Sequence, residues 1–592
     1  MWKFNDIEEQ QLLDTINKLD KTLLIDRIAY MLNMSPKVLL SYYTEEFITN
    51  LTANMLINRN VNTDIINNPQ DFFTDPYKLH NAVEASELIC KYAKDKNAII
   101  YIFADFDADG ITAGYITFKA LSDVVDCQLN VYFPERKEGY GLSMDFCKQV
   151  VDKKDEYSKV LVMTVDNGIS KVEETDYLKA NGIEVLITDH HTSKDAVPNC
   201  LIVDPHNNTV EQSDEFKHLC GCGVAFKVLF IVQDMLGKNN MYEYIPYLTI
   251  STISDIMPLE KENLAIIQYG LNIMNSDECP NSIKLLTKAN DIDIITSETI
   301  GWVIAPIINA CGRLNDTKLA ADFFFLQDDV VIEDIITLMI ATNEKRKSIT
   351  KRYKKKLQNY DTDDFLFVLN DEKVEAGILG ILAGEATKQF NKPAMAVVVN
   401  PEKPDQLKGS ARSIPQVNLI PILQELKDEG IIDDFGGHPE AAGIFFKEEN
   451  IQAIKDKFNQ IKPSETILSM PKTEEDITID SFVDLDDLNT MLIAISNIIP
   501  TDGKDLSLPT FGIMDLNLKN YKAYPSGYLE ITVQQNGVTL DMSCFNLVDK
   551  LLTEILPELD KKDDRKIHIV GTITKHFRTK KYTLNVKDIM VA

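Results

Sequence analysis

Four clusters of acidic and histidine side chains carry the residue types and spacing that could do chemistry in this sequence. They are Asp105, Asp107 and Asp109 in FADFDADG, Asp166 in VDNG, Asp189, His190 and His191 in TDHH, and Asp255 in ISDIMP. Carboxylates joined by one or two imidazoles suit Mn²⁺ or Mg²⁺ better than the thiolate-preferring metals. Two such ions ~3.5–4 Å apart would stabilise the attacking and leaving oxygens of a phosphoryl displacement and acidify a water between them. Any one of these aspartates alone reads equally well as a turn former or helix N-cap. DxDxDG could also open a calcium loop, but no Glu stands at the EF-hand's twelfth position and the context is strand to helix. The chain has eight histidines, and two of them stand side by side directly after a strand and an Asp, which favours metal binding.

Elements must bring these side chains together, and the hydrophobic pattern supplies them. NAIIYIFADFDADG is a β-rich run ending in carboxylates and glycine, followed by helical spacing in ITAGYITFKALSDV. LNVYFP precedes SMDFCKQVVDKK, KVLVMTVDNG precedes KVEETDYLKANG, and EVLITDHH follows. Short apolar strands alternating with amphipathic helices predict an α/β fold with a doubly wound, mostly parallel sheet. In such sheets the ligand crevice lies beyond the carboxyl ends of the strands, where the four clusters should fall. Longer apolar helices come next, before a glycine-bearing motif, INACGRL. Residues 316–362 predict a long connecting helix ending in EKRKSITKRYKKK, with Lys345, Arg346, Lys347, Lys351, Arg352, Lys354, Lys355 and Lys356 beside Glu344. Alternation resumes in DFLFVLND, GILGILAGEATKQF, AMAVVVN, GSARS and FGGHPEAAG, a second and smaller α/β domain. From about residue 466 the pattern is all-β, as expected of a small OB-like barrel.

Composition sets limits on function. The chain has 592 residues, 44% of them hydrophobic, enough for a sizeable core, and this excludes disorder and a small disulfide scaffold. Its nine cysteines are scattered without a CxxC pair, which argues against a structural zinc site and suits a reducing cytoplasm. The acidic N-terminus is unlike a signal peptide, and no apolar stretch approaches the ~20 residues that span a bilayer, so a cytoplasmic location is expected. The net charge of −30 would ordinarily argue against a polyanionic partner. Affinity for any polyanion would then have to reside in a narrow basic path.

DADG, VDNG, DHH and ISDIMPL, in this order, resemble the motifs of the DHH phosphoesterase superfamily. PERKEGYG, CGVAFKV, INACGRL, GSARS and FGGHPEAAG are similar to those of its RecJ family of single-strand-specific 5′ to 3′ DNA exonucleases, over roughly residues 76–460. Pyrophosphatase and small-phosphodiesterase branches typically carry a metal-binding His four residues before the DxD pair, and that place is Phe103 here. Helical spacing in Ile7, Leu12, Leu13, Ile16 and Leu19 reads as a helical lead-in over 1–75. Around the connecting helix of 316–362, the resemblance implies a DHH domain over 76–315 and a DHHA1 domain over 363–465, and the barrel over 466–592 agrees with an OB-like nucleic-acid-binding domain. The resemblance also implies two divalent metal ions, Mn²⁺ or Mg²⁺, held by Asp105, Asp107, Asp109, Asp166, His190 and Asp255, with Asp166 and Asp255 as bridges. His191 would contact the scissile phosphate or act as acid, with Asp189 behind it. Arg136, Ser410, Arg412, Gly436 and His438 would grip the terminal 5′ phosphate, because Arg forks bind phosphate bidentately and glycine lets backbone N–H groups approach it. Asn309 and Arg313 would lie near the metals or link the two α/β domains. By its charge against the acidic background, the run Lys345–Lys356 reads as a channel wall for the strand, with part of it, spread around more than one helix face, as solvated surface. Lys575, His576, Phe577, Arg578, Lys580, Lys581 and Tyr582 interleave cations with aromatics, a stacking platform or a plain basic hairpin.

The activity so implied is stepwise release of 5′ mononucleotides from single-stranded DNA in repair and recombination, by a monomer supplied with substrate by a helicase or single-strand-binding protein. The alternatives are a nanoRNA or cyclic-dinucleotide phosphodiesterase, and a non-catalytic replication scaffold of the same fold.

Overall fold

The computed structural model describes residues 2–4, 7, 9–193, 196–360, 363–371, 374–400, 403–462, 477–501, 506–524, 527–562, 565–575 and 581–592. The chain divides into two compact units, one of Met1–Asp75, Ile245–Gly301 and Glu474–Ala592, the other of Pro76–Tyr244 and Trp302–Thr473. Residues 245–301 thus group with the N- and C-terminal segments, although the sequence pattern places them within 76–315.

In the second unit, five parallel strands form a sheet in the order Gln128–Tyr132, Ile99–Phe103, Val160–Val165, Glu184–Thr188, Leu201–Val203. Ile99–Phe103 and Val160–Val165 are buried along their whole length, because helices cover both faces. The chain runs from Ile99–Phe103 to one edge and then returns to the other side of that strand at Val160–Val165. That reversal is a topological switch point, and Asp105 and Asp166 follow the two strands that flank it.

A mixed sheet completes this unit, in the order Asp434–His438, Ala441–Phe446, Lys403–Arg412, Ala394–Asn400, Phe367–Asn370, with the last pair parallel and the rest antiparallel. FGGHPEAAG is therefore a β-hairpin. The region expected as one connecting helix is two, Thr317–Phe325 and Asp329–Leu357, because the Asp328 side chain accepts from the N–H groups of Val330 and Val331 and starts a new helix.

In the first unit, Thr510–Ala523, Tyr528–Gln535, Val538–Phe545, Tyr582–Val591 and Lys566–Lys575 pair in turn, and Lys566–Lys575 pairs back to Thr510–Ala523. This is the closed five-stranded barrel expected at the C-terminus. The N-terminal segment is more than a lead-in: Leu24, Ile28, Ile48 and Leu56 share one core with barrel residues such as Ile531, Ile569 and Leu584. A buried ion pair, Arg59 to Asp480 at 2.9 Å, joins the same parts. Asp255 follows the helix Ile245–Ser254, one of the longer apolar helices read from the sequence, and so does not stand at the end of a parallel strand as the other three clusters do; that helix is buried from Ile245 to Thr252.

Candidate metal centre and phosphate pocket

Asp105 and Asp107 leave the strand Ile99–Phe103, and Asp107 caps the helix Ala108–Ser122 by accepting from the N–H groups of Asp109 and Gly110. The cap and metal readings of this aspartate are compatible, since Oδ1 caps and Oδ2 is left over. Asp109 accepts from Gly221 and Cys222 N–H at 2.8 and 3.0 Å, at the N-terminus of the helix Gly221–Met235, where the helix dipole favours its charge. Asp166 sits at φ +62°, a conformation uncommon outside glycine, and such strain gathers at functional sites.

Single ligand atoms of Asp105, Asp107 and Asp166 lie within 4.8 Å of one another, and so do those of Asp166, His190 and His191. Asp166 belongs to both groups, as a bridging ligand would. His190 Nε2 lies 3.3 Å from Asp166 Oδ1 and 3.9 Å from Asp109 Oδ2. Asp105 is 3% exposed, and its Oδ1 has no hydrogen-bond partner among the described residues. Burial first, and then Asp107, raises its pKa to about 8. A buried carboxylate with an unpartnered oxygen beside a second carboxylate is the environment that a bound cation satisfies, so the residues present fit a divalent metal.

His191 is oriented from behind. Its Nδ1 donates to Asp189 Oδ1 at 2.7 Å, which turns Nε2 away from that carboxylate. Asp189 also accepts from the N–H groups of Ile169, His190 and His191. Burial works against its charge, but His191 and these donors outweigh it and hold the carboxyl below its ordinary range. For His190, burial and then His191 lower the pKa and favour the neutral imidazole that a metal requires. Asp255 lies in the other unit, its N–H donating to Ser251 O.

The phosphate-binding candidates assemble on one face of the mixed sheet. Gly443 pairs with both Ser410 and Gly436, and Ala441 pairs with both Arg412 and His438. Side chains opposite one another in a sheet, or two apart on a strand, share a face. Arg412 and His438 therefore flank Ala441 about 10 Å apart, two strand spacings, over a floor of small residues. Arg412 Nη1 donates to Ser410 Oγ at 3.0 Å and to Ala411 O at 2.8 Å, while Gly436 and His438 are exposed. The helix Leu379–Phe390 covers part of this face, and a Cβ at Gly380 would come within 2.7 Å of Arg412 Nη2.

INACGRL lies on the helix Ala305–Arg313 and ties the two sheets together. Asn309 Oδ1 accepts from Ala108 N at 2.8 Å, and Arg313 Nη1 donates to Gly377 O at 3.2 Å. A Cβ on Gly312 would meet Phe106 O at 2.0 Å, and one on Gly377 would meet Arg313 O at 2.1 Å, so both contacts require glycine. Burial and then Arg136 hold the Arg313 pKa down to about 10, with Arg346 and Arg412 adding and Asp107 opposing. Arg136 and Arg313 thus lie in the field of the carboxylates as well as of one another, with Asp105 and Asp107 favouring the charge on Arg136. Arg136 lies 4.1 Å above the Phe106 ring, and its buried Nε has no partner among the described residues. A cavity of about 490 Å³ beside it is lined by Lys137, Asn315, Asn400 and Lys408.

Spacing alone gave no sign of three groups. Phe106 stands under Arg136, Tyr140 places its hydroxyl 3.1 Å from the His191 ring nitrogens, and Gly380 closes over Arg412. The basic run is more neutralised than its sequence suggests: Lys345, Lys354 and Lys356 pair with Glu375, Glu385 and Asp371, while Lys347 takes Glu344. Lys575 pairs with Asp293 and lies over Tyr582. His576, Phe577, Arg578 and Lys580 lie outside the described residues.

Residues 99–253 match the DHH family, N-terminal domain, and residues 363–462 match the DHHA1 domain. The single-stranded-DNA-specific exonuclease RecJ of Bacillus subtilis is 29% identical over 92% of this chain and 68% of its own. That of Haemophilus influenzae is 27% identical, over 83% and 87%. The crystal structure of RecJ from Thermus thermophilus in complex with Mn²⁺ superposes with a TM-score of 0.69 at 20% identity, over 97% of this chain and 78% of that one. Among the described residues no helix is long and apolar enough to cross a membrane.

Proposed function

We propose, for a chain that carries both the DHH and the DHHA1 domain and is similar to RecJ over most of its length, that it is a single-stranded-DNA exonuclease working 5′ to 3′ with two divalent ions. The observation that carries this is the helix Ala305–Arg313, which joins the acidic cluster to the arginine-bearing sheet domain: Asn309 Oδ1 accepts from Ala108 N in the DADG loop, and Arg313 Nη1 donates to Gly377 O. Asp105, Asp107, Asp109, Asp166 and His190 hold the ions; Asp255 is kept as a ligand on its sequence motif alone. Divalent cations there supply Lewis acidity to the phosphodiester and make water a competent nucleophile at neutral pH.

The chain's own groups do the rest. Arg412, steadied by Ser410, holds the terminal 5′ phosphate, with the open strand at Gly436 and His438 across from it. Arg313 and Asn309 position the next phosphate, and Arg136 adds charge against it. His191, with Nδ1 fixed on Asp189, presents Nε2 to protonate the departing 3′ oxygen of the released nucleotide. Water attack breaks the P–O3′ bond, so the shortened strand keeps a 5′ phosphate and can advance into the same pocket. A fixed spacing between pocket and carboxylates yields mononucleotides and sets polarity.

End-labelled single-stranded DNA with Mn²⁺ tests this directly. Labelled 5′ mononucleotide should appear first from the 5′ terminus, and chelation should stop it. Release from the 3′ end, or cleavage of a circular strand, overturns the assignment. Preference for a dinucleotide over long DNA would instead support a small-phosphodiester substrate.

A further inference from the structure

We infer that Trp302 is a stacking platform for a base of the bound strand, two to three nucleotides beyond the scissile phosphodiester; this rests on the exonuclease assignment above. Trp302 is 81% exposed. A single exposed apolar side chain needs no explanation of its own. Its place in the helix does. The run Ile300–Ile304 is a π-turn that leads directly into Ala305–Arg313, and such turns inside helices recur at functional sites.

Between Ile304 and Gly312 every residue is buried except Pro306 and Asn309. Exposed Trp302 and the half-buried Pro306, Asn309 and Arg313 therefore form one stripe with the 4-3-4 spacing of a helix face. Asn309 and Arg313 end that stripe at the DFDADG loop and at Gly377. Seven residues of helix put Trp302 about 10 Å from Asn309. A strand advances ~3.4 Å per nucleotide when stacked and roughly twice that when stretched, so a nucleotide whose phosphate lies at Arg313 sends its neighbours along this stripe towards the indole. Every base has a π-face, so the platform would be tolerant of sequence, as an exonuclease needs.

The sequence has two tryptophans, Trp2 and Trp302. In a W2F background Trp302 is the sole indole, and adding oligo(dT) to the chelated protein should quench its emission as the oligonucleotide binds. In turnover, W302A should lower the ratio of kcat/KM for a 20-nucleotide strand to that for a dinucleotide about 5- to 150-fold, mainly through KM. W302F should restore most of that ratio, which a packing defect would not allow. A ratio equal to wild type in W302A, or unquenched emission at oligonucleotide concentrations that saturate binding by anisotropy, overturns the stacking role while leaving the exonuclease assignment intact. A wild-type protein that neither binds nor degrades the strand overturns both.

Discussion

Truncating Arg412 to alanine should erase the preference for a 5′-phosphorylated end. Two bonds fix its guanidinium before any ligand arrives, from Nη1 to Ser410 Oγ and to Ala411 O, so the remaining donors are pre-oriented. Burial lowers its pKa, which marks a partly desolvated charge whose hydrogen bonds to an anion exceed those at an open surface. A hydrogen bond to a charged group contributes about 1.5–3 kcal/mol, equivalent to ~10- to 150-fold. The assay compares kcat/KM on one oligonucleotide bearing either a 5′ phosphate or a 5′ hydroxyl. The ratio between the two should fall by that factor in R412A. R412K keeps the charge but loses the fork, so it should fall in between. G380A provides a second route to the same outcome: its Cβ would crowd Arg412 Nη2 at 2.7 Å and displace the guanidinium without removing charge. Equal loss on both ends in R412A would refute the reasoning, because the guanidinium would then be serving the fold or an internal phosphate.

Asp166→Asn should abolish turnover and the calorimetric heat of Mn²⁺ binding together while leaving the protein folded, since asparagine tolerates the left-handed backbone at φ +62°; retained Mn²⁺ heat would remove Asp166 from the metal set. Asp204 is 1% exposed, and burial first and then Asp189 raise its pKa to about 7. A raised carboxyl pKa binds a proton more tightly in the folded than in the unfolded chain, so its stabilising contribution is present below pH ~4 and is lost as pH rises towards 7. Three units correspond to about 4 kcal/mol, and Asp204→Asn should recover a share of it at pH 8 and little at pH 4, read as the pH dependence of urea unfolding. Four guanidiniums, Arg136, Arg313, Arg346 and Arg412, should give a slope of about −3 in log K against log salt for single-stranded DNA, at about −0.7 per phosphate; a slope near zero by anisotropy would show that they do not contact the strand.

The parallel sheet was legible because strand and helix periodicities alternate cleanly from Ile99 to Val203, and the metal candidates were legible because carboxylates and two adjacent histidines follow those strands. FGGHPEAAG was legible as a motif but not as a hairpin: Gly and Pro signal a turn whatever follows it, and only pairing with Lys403–Arg412 fixes it as strand. The partners of the basic helix were not legible, since Glu375, Glu385 and Asp371, which pair with Lys345, Lys354 and Lys356, stand 15 to 31 residues away in sequence. The N-terminal helices gave no sign of their partner, because an amphipathic face reports that it will be buried and not against what.

The amino-acid sequence by itself determined the donor chemistry on offer: oxygen-rich candidate ligands, two adjacent imidazoles, arginines suited to phosphate and a net charge of −30 that would confine affinity for a polyanion to a few cationic side chains. Tertiary structure decided which of these act together. Asp105 and Asp166 meet because the strand order reverses between their strands. Ser410, Arg412, Gly436 and His438 share a face because register aligns them across Gly443 and Ala441. The elements that carry the two groups pack together because Gly312 and Gly377 let backbones approach more closely than any side chain allows. Periodicity encodes which face is buried; distance between faces is set only when strands pair and helices dock.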